Sequence, residues 1–260
     1  MSTTITKERV APEPTSRSGV AWMGAGETSP RLMARIAGVL YLLTILMGMF
    51  SAGFATAKIV VSGDAAATAT NILAHRGLFQ LAFAVYLIEM ACQVALTALF
   101  YSLLKPAGKS VSLVAAFLGL TGCVIKTFTR VFFIAPLFIL GGAHYLSVFS
   151  AEQLQALALL FLKMNDRGAG IALVFFGFYA ILTGYLIIKS SFLPRVLGAI
   201  SVVGGLGWLT FLYPPLGGRM FPFISMFAVL GAAALIVWFV VYGVNEQRWR
   251  EQAGAVVASM

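Results

Sequence analysis

Runs of about 20 or more apolar residues recur along this chain without strict alternation of apolar and polar positions, separated by short segments that carry charge, glycine or proline. About 20 apolar residues is the length a helix needs to cross a bilayer, and in lipid only helices or closed barrels satisfy their own backbone groups. The pattern predicts an all-α polytopic membrane protein with six transmembrane helices, over residues 36–57, 78–104, 111–140, 168–188, 196–213 and 223–244. Two shorter segments, 65–75 and 151–165, fall below spanning length and predict two short interfacial helices on the outer side. For the second segment the alternative is a merger with the following span into one long bent helix.

Local punctuation supports these boundaries. Ser29-Pro30 reads as an N-cap followed by proline at the first helical position. Asp64 is placed to cap the helix over 65–75, and Gly77 to end it as a C′ glycine. Ser150 and Gln153 have the spacing of a capping box. His75-Arg76-Gly77 and Asp166-Arg167-Gly168 echo each other before two of the spans, arginine suiting a helix C-terminus and glycine a turn into the membrane. In the fourth span Gly170, Gly177 and Gly184 recur every seven residues, which puts them near one side where a neighbouring backbone can approach closely. The fifth span is expected to stop at Pro214-Pro215.

Composition fixes the class. The 260 residues are 60% hydrophobic and 10% charged, against about 25% charged in soluble domains. Residues 1–28 carry no hydrophobic period and read as a disordered cytoplasmic tail, with no stretch resembling a secretory signal. Residues 29–245 form the six-span membrane domain, and 246–260 a cytoplasmic C-terminal tail. The net charge of +9 is read as a topology signal, not as a nucleic-acid surface. With both termini inside, 11 lysines and arginines fall on the inner side and 5 on the outer, Lys126 and Arg130 completing the set. The bias supports six spans with the N- and C-termini inside, with the lipid bilayer as partner and oligomeric state unassigned.

Charge inside the spans is the best functional lead. Glu89 lies in the second span, and Lys126 and Arg130 lie one turn apart in the third. Ionisable groups at such depth are costly and usually find partners in the protein interior. The connection 105–110 is short, so the two helices run antiparallel. Glu89 is 15 residues before Leu104 and Lys126 is 15 after Val111. At about 1.5 Å per residue both lie roughly 22 Å from the loop, so they should meet. Tyr86 and Gln93 extend the stripe around Glu89. One carboxylate against two cations leaves a positive charge over. Arg130 then either snorkels outward or helps receive an anion. Two uses of the cluster stay open: binding or transport of a small anionic or amphipathic molecule or lipid, or a clasp that only fixes helix packing.

Other chemistry is sparse. Cys92 and Cys123 both lie within spans, at matching depth, and read as separate buried thiols. His75 and His144 fall in different outer segments, and no zinc-protease, nucleophile-elbow or phosphate-loop motif occurs. No metal and no cofactor is expected. An outer-face lipid-modifying enzyme built on His75, His144, Asp64 and Asp166 is the weakest reading.

Four stretches carry a family resemblance: Arg35-Ile-Ala-Gly-Val-Leu-Tyr41, Gly63-Asp-Ala-Ala-Ala-Thr-Ala-Thr-Asn-Ile72, Tyr101-Ser-Leu-Leu-Lys-Pro106, and the segment from Asn165-Asp-Arg-Gly through Gly184 to Lys189-Ser-Ser-Phe-Leu-Pro-Arg195-Val-Leu-Gly198. Over roughly residues 31–243 the chain resembles a bacterial six-span family known as domain of unknown function 4386. The family pattern often has His-Asp where this chain has Asn165-Asp166. The resemblance implies a bacterial cytoplasmic-membrane protein and supplies no activity.

Overall fold

The computed structural model describes residues 29–258, so the tail expected over 1–28 lies outside the described residues. The described chain is helical and contains no strand. Six helices are long and apolar enough to cross a membrane: α1 (Pro30–Ile59), α3 (Arg76–Leu104), α4 (Lys109–Ile139), α5 (Ala151–Lys189), α6 (Arg195–Leu209) and α7 (Pro214–Tyr242). The short helix α2 (Ala65–Ala74) precedes α3, and α8 (Glu246–Ala258) follows the last span. This is a multi-pass membrane protein.

The helices begin where the sequence supplies caps. Ser29 Oγ accepts from Leu32 N, with Pro30 in the first turn of α1. Asp64 accepts from Ala67 N at 2.8 Å. Ser150 and Gln153 form a reciprocal capping box. Such caps satisfy amide donors that the first turn of a helix leaves without partners.

Three expectations need correction. The segment 151–165 is not a separate interfacial helix: α5 runs unbroken for 39 residues, about 58 Å at 1.5 Å per residue. That is nearly twice the hydrocarbon thickness of roughly 30 Å. Its first turns therefore stand outside the bilayer. Gly168 accordingly makes no turn; it brings two helices together, because a Cβ there would lie 2.1 Å from Thr129 Cγ2 on α4. Gly77 does not end α2 either. His75 is the C-cap of α2, and Gly77 lies inside the first turn of α3. Finally, α7 starts at Pro214 directly after Tyr213, nine residues ahead of the expected 223, since proline at a first helical position loses nothing.

Two apolar cores stack along the bundle axis. One joins Ala34, Ala37, Phe100, Leu103, Leu186, Leu197 and Phe239, toward the start of α1 and the end of α7. The other joins Ala55, Ile59, Ile72, Phe79, Phe133 and Leu162 near the opposite face. On α3 the residues that belong to these cores stop at Tyr86 and resume at Leu96. Glu89 sits in that gap. Helices α5 and α6 meet along a seam of glycines. A Cβ on Gly184 would lie 2.6 Å from the Gly198 carbonyl, and one on Gly177 would lie 2.9 Å from that of Gly205. Gly170 packs against the Phe211 ring beyond the end of α6. With no Cβ in the way, two backbones touch directly, the packing membrane helices use where no hydrophobic drive exists between them.

The end where α1 begins and α7 finishes is closed by α8. Trp249 Nε1 donates to Leu103 O at 2.8 Å, satisfying a carbonyl in the last turn of α3. Gln252 Oε1 accepts from Ser191 N and Ser191 Oγ between α5 and α6. The segment after residue 245, expected as a tail, is thus a helix docked on the bundle.

Candidate functional site

Glu89 lies midway along α3 and Lys126 midway along α4. The short connection at 105–108 sets these helices antiparallel at equal depth. Lys126 Nζ donates to Glu89 Oε1 at 2.6 Å. The Glu89 side chain is 5% exposed and that of Lys126 is 20% exposed. The expected level contact is present, and it resolves the choice of partner for Glu89 in favour of Lys126 over Arg130. Burial makes each charge dependent on the other, because removing either would strand a charge away from water.

The carboxylate is only half used. Among the described residues nothing donates a hydrogen bond to Glu89 Oε2, which is buried. Gly48 on α1 lies alongside, its missing side chain leaving about 3.5 Å between a built Cβ and Glu89 Oε1. Immediately beyond Gly48 the α1 backbone widens into a π-helical stretch, Met49–Thr56. Ser51 Oγ there donates to Ala82 O of α3, and Thr56 Oγ1 donates to Ser51 O. Such stretches are frequent at functional sites.

Arg130 belongs to a separate arrangement. It neither snorkels nor turns toward Glu89. At 3% exposure its guanidinium stacks over Tyr86 at 3.7 Å from the ring centroid. Nη1 donates to Asn165 Oδ1 at 2.8 Å, and Asn165 Nδ2 donates to Asp166 Oδ1 at 3.1 Å. The arginine is thus held by an aromatic face, which attracts cations, and by an amide that hands the link on to a carboxylate. The surplus positive charge read from the sequence is met through Asn165 by Asp166, a residue expected at a turn into the membrane or in an outer-face enzyme site. Asn165 is buried too, and the sequence reading missed it. The signal was present in Arg130, a buried donor that needs an acceptor on whichever helix packs against α4.

A cavity of about 300 Å³ opens beside the ion pair. Glu89, Gln93 and Lys126 form its polar part, with Thr44, Thr183 and Ser201 adding hydroxyls. Much of the remainder is aromatic: Tyr41, Phe100, Phe176, Tyr179, Trp208 and Phe227. Two of these rings are set by glycines on α4, Phe176 against Gly122 and Tyr179 against Gly119, with distances near 3 Å to a built Cβ. Tyr86 and Arg130 do not border the cavity. Of the packing glycines, Gly170, Gly177 and Gly184 also lie off its wall, whereas Gly204 and Gly205 of α6 are part of it. Ser225, Phe227 and Val229 of α7 line the cavity and are at least partly exposed.

The remaining candidates do not come together. Cys92 and Cys123 are free thiols. His75 Nδ1 lies 3.2 Å from Asn71 O, a local contact at the end of α2. Among the described residues no three His, Cys, Asp or Glu side chains converge as a metal site would require. A family model described as a domain of unknown function, DUF4386, matches residues 36–243. No curated protein and no solved structure matches the chain.

Proposed function

Since the chain belongs to the DUF4386 family, whose description names no activity, we propose a function from the geometry of the bundle itself: the protein holds a small amphipathic molecule in the cavity beside Glu89 and Lys126. The observation that carries this reading is the cavity of about 300 Å³ with one charged wall and an otherwise apolar, largely aromatic lining. Binding sites for small molecules take this form, an apolar concavity with a few convergent polar groups. A clasp alone would need no such space, because filling the gap with side chains would fix helix register equally well. The arrangement favours an amphipathic molecule over a simple anion, since Arg130 is engaged elsewhere and Lys126 is already paired.

We also place the protein in a bacterial cytoplasmic membrane with both termini inside. Arg31, Arg35, Lys105, Lys109, Lys189, Arg195, Arg248 and Arg250 lie at the end that carries α8, and Lys58, Arg76 and Arg219 at the opposite end, while Lys163 and Arg167 flank Asn165 at the depth of Arg130. Excess basic charge marks the cytoplasmic side.

The test is extraction of the protein in native membrane particles, with mass spectrometry of the small molecules retained, for wild type and Gly204→Leu. Gly204 lines the cavity, and a built Cβ there meets no atom within 4 Å, so leucine adds bulk without displacing the α5–α6 seam. A compound retained in proportion to wild-type protein and absent from the folded variant supports the reading. Equal retention by both would refute it.

A further inference from the structure

Resting on the cavity as a binding site, we infer that its ligand is a lipophilic cation, an amphiphile whose ammonium group competes with Lys126 for Glu89. Three independent observations lead there. The first is the orphaned acceptor: Glu89 Oε1 receives Lys126 at 2.6 Å, while buried Oε2 has no donor among the described residues. An ionised carboxylate can only accept, so the partner it lacks must bring a proton-bearing or positively charged group.

The second is the character of the remaining wall. Tyr41, Tyr179, Phe176 and Trp208 contribute to it from three different helices. Aromatic faces attract cations while offering apolar area to the body of an amphiphile, and desolvation strengthens the attraction. The bundle already uses this device once, where the Arg130 guanidinium lies over Tyr86.

The third is the difference between the two members of the pair. Glu89 is 5% exposed and Lys126 is 20% exposed. The lysine also carries its charge on a flexible four-carbon stem. Lys126 is therefore the member that can yield. When the incoming ammonium donates to Glu89, the charge of the carboxylate stays neutralised and Lys126 turns its own head group toward the more open side. An anionic ligand would instead meet Glu89 across a small, weakly screened cavity, with the only adjacent cation already engaged among the described residues. The molecule so described is soluble in the bilayer, and α7, whose Phe227 and Val229 line the cavity and are exposed, is the side from which it would arrive.

One scaffold with three head groups tests the sign of charge. Phenylbutylamine, phenylbutanol and phenylbutyrate are dialysed at pH 7 against the protein in nanodiscs, with empty nanodiscs measuring partition into lipid. The expected result is amine binding at least tenfold tighter than alcohol, and carboxylate binding the weakest. Lys126→Met, which removes the competitor, should tighten amine binding. Glu89→Gln/Lys126→Met removes both charges together, so no lone ion is left buried, and should bind amine and alcohol equally. Alcohol or carboxylate binding as tightly as amine in wild type, while Gly204→Leu still abolishes binding, would leave the cavity reading standing and overturn the cationic class. Failure of all three probes to exceed empty nanodiscs, or indifference to Gly204→Leu, would overturn the cavity reading and this inference with it.

Discussion

Removing one member of the central ion pair should cost far more than removing both. Glu89 and Lys126 are 2.6 Å apart, and at an effective dielectric near 20 that contact corresponds to an attraction of about 6 kcal/mol. Desolvation of the two ions offsets much of this, several kcal/mol for each when fully buried. Breaking a buried pair from one side typically costs about 3–5 kcal/mol. Lys126 keeps a fifth of its side chain exposed, so a lone lysine can partly rehydrate, and for Glu89→Gln we expect the lower end, about 3 kcal/mol. Lys126→Met strands the more buried Glu89 without its partner, with a loss of similar size. The double variant Glu89→Gln/Lys126→Met should recover to within about 1 kcal/mol of wild type, because well-packed neutral residues replace buried ion pairs with little loss. Steric-trap unfolding in nanodiscs on all four chains closes the cycle. A coupling energy below about 0.5 kcal/mol, the size of additivity errors between distant sites, would refute the pair as an organising contact.

Further outcomes follow from packing and from the second polar arrangement. Gly184→Ala places a Cβ 2.6 Å from the Gly198 carbonyl and should lower stability by about 1–3 kcal/mol, while Gly204→Ala, with open space around it, should change unfolding little. Gly168→Ala sets its methyl 2.1 Å from Thr129 Cγ2; Thr129→Ser removes that methyl while keeping a hydroxyl that can donate to Lys126 O, so the double variant should unfold later than Gly168→Ala alone. Asn165→Leu withdraws the acceptor of Arg130 Nη1 and should cost about 1–3 kcal/mol in the same unfolding assay, with no change in cavity binding. Trp249→Phe removes the donor to Leu103 O, and faster amide exchange confined to α8 is the expected readout in hydrogen–deuterium exchange.

Depth was legible in the sequence wherever a loop was short. The 105–110 connection placed Glu89 opposite Lys126 because two rigid helices and a tight turn leave one register. It did not reach Asn165. Placing that residue required α5 to be known as one continuous helix, and the polar run Lys163 to Arg167 resembles the end of an interfacial segment. Only tertiary packing against α4, with Gly168 pressed on Thr129, shows that the helix continues. For a similar reason the surplus charge was misjudged. Asp166 compensates Arg130 through an intervening amide, a link between helices that local pattern does not encode. The cavity was equally hidden, since unfilled space depends on how six helices diverge. Rings such as Phe176 and Tyr179, on a helix with aromatics all round, carry no mark of which face them.

The separation of 37 positions between Glu89 and Lys126 also bears on how the chain is made. A polypeptide delivered to the bilayer from its N-terminus presents the carboxylate well before the ammonium has been synthesised. On scales derived from insertion, a charge at the middle of a lone helix opposes integration by about 2.5–3.5 kcal/mol. The tight turn at Lys105–Ala107 keeps α3 and α4 adjacent in the chain. Entry of the two as one hairpin would present lipid with charges already cancelled, where α3 alone would not. A longer linker in their place would leave the folded bundle unchanged on paper, yet deprive the nascent chain of the proximity that makes its most polar pair admissible to lipid.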